Sequence, residues 1–227
     1  MKQPEDQLWV VVPAYNEEAI ISQVLKELCA TFKNVVVVDD CSTDGTLCAV
    51  RQEAVHVLSH PFNMGQGAAI QTGIEYALNF EAKYIATFDA DGQHDPSDLL
   101  SMWDKLKLTH AEVALGSRFL GTTTGITYTR IALLKLAIIY SNFSTGLKLT
   151  DTHNGIRVIK HTFLKNFSFK QNKMAHASEI LEFISKHRIS YIECPVSIRY
   201  TDYSIRKGQS SINAVRIVIE TLFGRVR

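Results

Sequence analysis

The sequence lacks most of the features that mark specialised chains. Its four cysteines, Cys29, Cys41, Cys48 and Cys194, form no CxxC pair and have no histidine at zinc-site spacing. They read as free thiols of a reducing compartment with a packing role, not as a disulfide framework. Only five prolines are present, and no proline- or serine-rich stretch marks a linker. Neither sign of charge dominates: 24 Lys and Arg against 23 Asp and Glu leave a net charge of +1, which offers no footprint for nucleic acid. The longest apolar stretch, residues 131–140, is broken by Lys135 and is roughly half the ~20 residues that span a bilayer, so no transmembrane helix is expected. The opening MKQPEDQLWV has acidic groups where a secretion signal needs a basic end and a long apolar run, so export is not expected either.

What is present is ordinary globular material, 46% apolar and 21% charged over 227 residues, enough for one domain spanning 1–227. Short β-branched runs alternate with helical periodicity, as in βα units that feed a parallel sheet. LWVVV at 8–12 predicts a buried strand stopped by Pro13, and residues 17–30 a helix with one apolar face. VVVV at 35–38, residues 55–58 and YIATF at 84–88 predict further strands. Helices are expected from about Thr46, over 67–78 and after Asp95-Pro96. Beyond a strand at 113–115 the alternation weakens. Residues 131–143, 174–187 and 211–223 look helical, and 189–193 and 196–200 look extended.

Ligands of open parallel sheets bind beyond the carboxyl ends of the strands. The loops there read PAYNEE, DDCSTDGT and DADGQHD, so carboxylates gather at one rim. Uncompensated carboxylates repel one another and favour a cation among them. Asp89 and Asp91, one residue apart at a strand end, suit Mg²⁺ or Mn²⁺ with substrate phosphates completing the coordination. A turn followed by a helix cap is the other reading of the same pair. Asn63, Gly65 and Gly67 match neither the Walker pattern nor GxGxxG, and are expected to let a loop pack closely under the site. His94, His153 and His176 read as structural.

VVPAYNEE, VVVVDDCSTDGT, NMGQGAAIQTGIEYA, YIATFDADGQHDP and GSRF, in this order and spacing, resemble glycosyltransferase family 2, the nucleotide-diphospho-sugar transferases of the GT-A fold. DADGQHDP, GSRF and DTHNGIRV are most similar to its dolichyl- or polyprenyl-phosphate sugar synthases, over about residues 8–205. His153 and Asn154 depart from that subgroup, where a polar residue and a cysteine are common. The resemblance implies an α/β, Rossmann-like GT-A domain: a mostly parallel central sheet flanked by helices, with C-terminal amphipathic helices. Residues 8–118 would form its nucleotide-sugar and metal part, and 119–227 its acceptor side.

By the same resemblance Pro13, Tyr15, Glu17 and Asp39 hold the nucleoside, with Asp39 facing the base. Asp89, Asp91 and Gln93 hold Mg²⁺ or Mn²⁺, and Asp89 also meets the donor. Arg118 reaches a phosphate oxygen, which a guanidinium fork fits well, with a surface salt bridge as its other reading. Asp91, Arg118 and Asp151 are the catalytic candidates, Asp151 orienting the acceptor. Arg199, Arg206 and Lys207 belong to a loop that closes over the nucleotide and, with Arg130, meets acceptor phosphate.

The expected reaction is inverting transfer of a sugar, with UDP favoured over GDP, to polyprenyl phosphate in cell-surface glycan synthesis. The expected place is cytoplasmic, peripheral on the inner face of the membrane, with the 131–143 stretch and the last helix either lying in the interface or covering the sheet. Recruitment by a small membrane protein and self-association stay open. Two rival readings are transfer to a sugar hydroxyl, with Asp151 or Glu179 as base, and a non-catalytic nucleotide-sugar binding subunit.

Overall fold

The structure is a computed structural model that describes residues 7–170, 176–201 and 203. Its first half runs β1 (Leu8–Ala14), α1 (Ile21–Thr31), β2 (Val35–Asp39), α2 (Thr46–Val50), β3 (His56–Ser59), α3 (Gln66–Asn79), β4 (Tyr84–Thr87), α4 (Pro96–Lys107) and β5 (Val113–Ser117). The second half adds β6 (Thr123–Thr124), α5 (Tyr128–Thr145), β7 (Arg157–Lys160), α6 (His161–Leu164), α7 (His176–His187), β8 (Tyr191–Pro195) and β9 (Ile198–Arg199). Seven strands form one sheet in the order β3-β2-β1-β4-β7-β5-β8, and β6 pairs β9 in a second. The large sheet is mostly parallel. Only β7 runs against its neighbours, pairing antiparallel with both β4 and β5.

The strands are apolar on both faces because helices cover both. Val10, Val12, Val35 and Val37 face α1, α2 and α4, while Trp9, Val11 and Val36 face α3, α6 and α7. The apolar stripe of α1, Ile21, Val24, Leu25 and Leu28, is buried against the first of these faces. Each such side chain contributes about 1.5–3 kcal/mol on burial.

Two expectations are corrected here. Pro13 does not stop β1, which pairs on through Pro13↔Val38 and Ala14↔Asp39. Val10 donates its N–H to Asn34 on the β2 side, so by alternation the odd residues face β4, whose last pair is Thr87↔Val11. The proline nitrogen therefore points where no ladder partner is required. The first helix starts at Ile21 instead of near Glu17, because residues 17–20 form a turn whose Glu17 carbonyl accepts from both Ile20 and Ile21. The helix expected over 211–223 lies outside the described residues.

Candidate active site

The loops after β1 and β2 are laced together at the sheet rim. Asn16 N–H donates to Ser42 Oγ (2.9 Å), Thr43 N–H to Asn16 Oδ1 (2.8 Å), Glu17 N–H to Thr46 Oγ1 (2.7 Å) and Gly45 N–H to Glu18 Oε2 (2.9 Å). Asp39, 1% exposed, ends β2 beneath them. Its Oδ2 accepts from Ser42 N–H at 3.2 Å, and its Oδ1 is buried without a hydrogen-bond partner among the described residues. A buried acceptor in that state costs free energy until an N–H meets it. Beside it Asp40 takes the N–H groups of Met64 (2.8 Å) and Gly65 (2.7 Å) and pairs with His60 Nδ1 (2.7 Å).

The loop so held delivers Gln66, the first residue of α3, to the turn after β4. Gln66 Nε2 donates to Asp89 Oδ1 at 3.0 Å, and Asp89 Oδ2 lies 3.5 Å from His94 Nε2. Gly155 leaves room for this carboxylate: a Cβ there would stand 1.9 Å from Asp89 Oδ2. Asp91 accepts from Gln93 N–H at 3.0 Å. Burial, with the charge of Asp89 beside it, pushes the Asp91 carboxyl up to about 6. Glu17 acts on it in the same direction. Such a pair suits a hard divalent cation. Among the described residues no third His, Cys, Asp or Glu completes a metal-holding group with them, so further ligands must come from other oxygens, a substrate diphosphate included.

On the other side of the rim Arg118 follows β5. Its Nε donates to Asp151 Oδ2 (2.6 Å), its Nη1 to Tyr200 Oη (2.8 Å) and its Nη2 to the His153 carbonyl (2.8 Å), while its own N–H also reaches Asp151. This is a buried ion pair, with side chains 7% and 1% exposed, and not a surface salt bridge. Asp151 is itself placed by Glu193 of β8, whose carboxylate accepts from the N–H groups of Thr150 and Asp151. Arg130, in the first turn of α5, lies over the Tyr200 ring at 4.8 Å.

The model of glycosyl transferase family 2 matches residues 9–168, well over half of the chain. The chain belongs to that family. It is 34% identical to an uncharacterised protein of Methanocaldococcus jannaschii over 98% of this chain and 93% of that one. It is 27% identical to a UDP-N-acetylglucosamine–dolichyl-phosphate N-acetylglucosaminyltransferase of Methanococcus voltae, over 95% and 94%. It is also 30% identical to a polyprenol monophosphomannose synthase of Mycolicibacterium smegmatis, over 71% and 64%. Among solved structures it superposes on glucosyl-3-phosphoglycerate synthase of Mycobacterium tuberculosis, crystallised with Mn²⁺, UDP-glucose and phosphoglyceric acid. The TM-score there is 0.72 at 18% identity, over 96% of this chain and 79% of that one, which establishes the GT-A architecture.

As a family 2 glycosyltransferase the chain brings most of its sequence-predicted residues to one rim. Pro13 is buried at the end of β1, Tyr15 stands 42% exposed at the mouth, and Glu17 is buried and accepts from Tyr203 Oη at 2.8 Å. Gln93 accepts at its carbonyl from Arg199 N–H (2.9 Å), which seats β9 against the turn after β4. The Arg199 guanidinium is turned aside to Asp95 Oδ2 at 2.7 Å. Arg206 and Lys207 lie outside the described residues.

Sequence reasoning overlooked Asp40, Gln66, Glu193 and Arg157. Arg157, 3% exposed on β7, is held down to about 10 by burial against the opposing pull of Asp89 and Asp151. Its place in the DTHNGIRV motif and its standing as a lone arginine in the β-branched run IRVI were the available signals.

Proposed function

We propose that this glycosyltransferase moves a sugar from a nucleoside diphosphate donor, held with Mg²⁺ or Mn²⁺ at Asp89 and Asp91, to a polyprenyl phosphate at a membrane surface. The observation that carries the reading is the pair of mutually repelling carboxylates after β4, together with an Asp39 Oδ1 at the end of β2 that has no hydrogen-bond partner among the described residues. Asp39 would accept from a ring N–H of the base, with Pro13, Tyr15 and Glu17 around the nucleoside and UDP the favoured carrier. Gln93 would add an oxygen to the metal. A bound divalent ion supplies positive charge to the departing diphosphate.

The acceptor assignment draws on the lipid-phosphate relatives from Methanococcus voltae and Mycolicibacterium smegmatis and on the charge pattern of the chain. Residues 113–150 contain Arg118, Arg130, Lys135 and Lys148 and no acidic residue. Within them α5 buries only Ala137 and leaves Tyr128 (91%), Leu136 (60%), Ile139 (66%) and Phe143 (89%) exposed along one stripe. No helix among the described residues is long and apolar enough to cross a membrane. An apolar stripe flanked by cations fits a helix lying in an anionic lipid interface. A phosphate monoester, with a second pKa of about 6, is already a nucleophile at neutral pH and requires no enzymic base. Asp151, fully engaged with Arg118 and the His153 N–H, is accordingly an orienting group, and Arg118 with Arg130 gives the acceptor phosphate its positive surroundings.

Purified protein, Mn²⁺ and labelled nucleotide sugars should be offered vesicles with polyprenyl phosphate, vesicles with neutral polyprenol, and a soluble oligosaccharide. Label should enter the organic extract only with polyprenyl phosphate. Extension of the oligosaccharide with no lipid product would replace this acceptor by a sugar hydroxyl, and transfer to nothing would leave a binding protein.

A further inference from the structure

Asp89 is a metal ligand in the reading above, and its oxygen has a donor that reading does not use. Gln66 Nε2 meets Asp89 Oδ1 at 3.0 Å from the far side of a different βα unit. Gln66 opens α3 with no side-chain cap at the helix start, and Gly65 before it has φ of 97°, a backbone that side chains rarely adopt. That shape is not left to the loop itself. Both oxygens of the buried Asp40 take the N–H groups of Met64 and Gly65, and His60 braces Asp40 from behind at 2.7 Å while its Nε2 reaches Thr72 Oγ1 of α3 at 3.0 Å. Asp40 and His60 are 3% and 9% exposed, and the His60 N–H also donates to the Asp39 carbonyl at 2.9 Å. A buried polar network that is satisfied in this way rigidifies what it touches, and what it touches ends at Gln66.

We propose that Gln66 is a positioning residue for the metal, acting through Asp89, and that the Asp40–His60 pair holds it in place. The amide offsets part of the repulsion between Asp89 and Asp91 and fixes the carboxylate by one oxygen, so that the other lone pairs are aimed before the cation arrives. Hydrogen-bond partners of ligating carboxylates carry roughly 10- to 100-fold of metal affinity. Because β3, α3 and the 60–65 loop flank the nucleoside-binding Asp39, the arrangement also ties metal affinity to the donor side of the site.

The inference rests on the metal role proposed for Asp89 and Asp91, and the test separates the two. Mn²⁺ binding in the presence of UDP is followed by electron paramagnetic resonance for the full chain, Gln66→Leu, Gln66→Met, Asp40→Asn and Asp91→Asn. UDP binding without metal and melting temperature are measured alongside. Gln66→Leu and Gln66→Met should weaken Mn²⁺ roughly tenfold or more with metal-free UDP binding and melting unchanged. Asp40→Asn should weaken it in the same direction, and Gln66→Leu/Asp40→Asn should be no worse than Gln66→Leu alone. Wild-type Mn²⁺ affinity in both Gln66 variants, with Asp91→Asn impaired, overturns the positioning role and leaves the metal site standing. Unimpaired Asp91→Asn overturns the metal reading itself. Parallel loss of metal-free UDP binding in both Gln66 variants assigns Gln66 to the fold of the helix start and rejects the proposal.

Discussion

The two sides of the rim, one assigned above to the donor and the other to the acceptor, are built in opposite ways. On the donor side the carboxylates stand at or just past the ends of β2 and β4 and accept from N–H groups of their own loops, as Asp39 does from Ser42 and Asp91 from Gln93. On the acceptor side Arg118 finds Asp151 33 residues away and Tyr200 82 residues away. Asp89 and Asp91 repel one another, with Asp91 pushed up to about 6, whereas each guanidinium nitrogen of Arg118 is hydrogen-bonded. In the function proposed above, one side receives a cation and a nucleotide. The other is a self-satisfied buried network that shapes its surroundings, and α5 beside it leaves its apolar stripe uncovered.

The sharpest way to break this contrast is to open the satisfied network. Arg118→Met leaves the Asp151 carboxylate buried without its countercharge and should cost about 3–5 kcal/mol. In a chain of this size that is a fall in melting temperature of roughly 6–20 °C. A melting curve within about 2 °C of wild type would mean that the ion pair is dispensable and that Arg118 serves only substrate.

The converse change on the donor side should leave stability alone and remove function. Asp91→Asn is expected to lower turnover by about 10²-fold or more with an unchanged melting temperature, and excess chelator should abolish activity in the wild type. Since Asp91 titrates near 6, protons compete with metal below that value. Mn²⁺ affinity should therefore weaken as pH falls through about 6, the sign expected when the ligand is the ionised form. Full activity in chelator, or an active Asp91→Asn protein, would sink the metal assignment.

A smaller effect is expected where the acceptor side meets lipid. Leu136→Ser/Phe143→Ser removes two exposed apolar groups from α5 and should weaken partition onto vesicles containing anionic lipid at least about tenfold, as each inserted side chain is worth about 1.5–3 kcal/mol. Soluble donor binding should not change. Equal sedimentation of variant and wild type with the vesicles would assign the stripe to some other contact.

The two halves were also unequally legible. The β1, β2, β4 and β5 runs, the helices α1, α3 and α4, and the Asp89–Asp91 pair could be read from apolar periodicity and from motifs at strand ends, since local chain geometry decides both. The strand at β7 could not. Residues 149–160 offered a motif but no alternation, because a short strand buried on both faces and flanked by loops has no period to betray it. Without β7 the burial of Arg157 and the close fit of Gly155 under Asp89 were invisible, and so was the extent of the acceptor side.

By itself, the sequence determined the α/β class, the family and the carboxylate rim, because each depends on residues close in the chain. Tertiary structure alone decided that Pro13 continues a strand, that Arg118 is spent on Asp151, Tyr200 and the His153 carbonyl, that Asp40 holds the loop before α3, and that Gln66 reaches across to the turn after β4. Those outcomes depend on which strand neighbours which and on where charge is buried. Both are properties of the assembled sheet, in which an antiparallel strand inserted between β4 and β5 brings distant segments to one site.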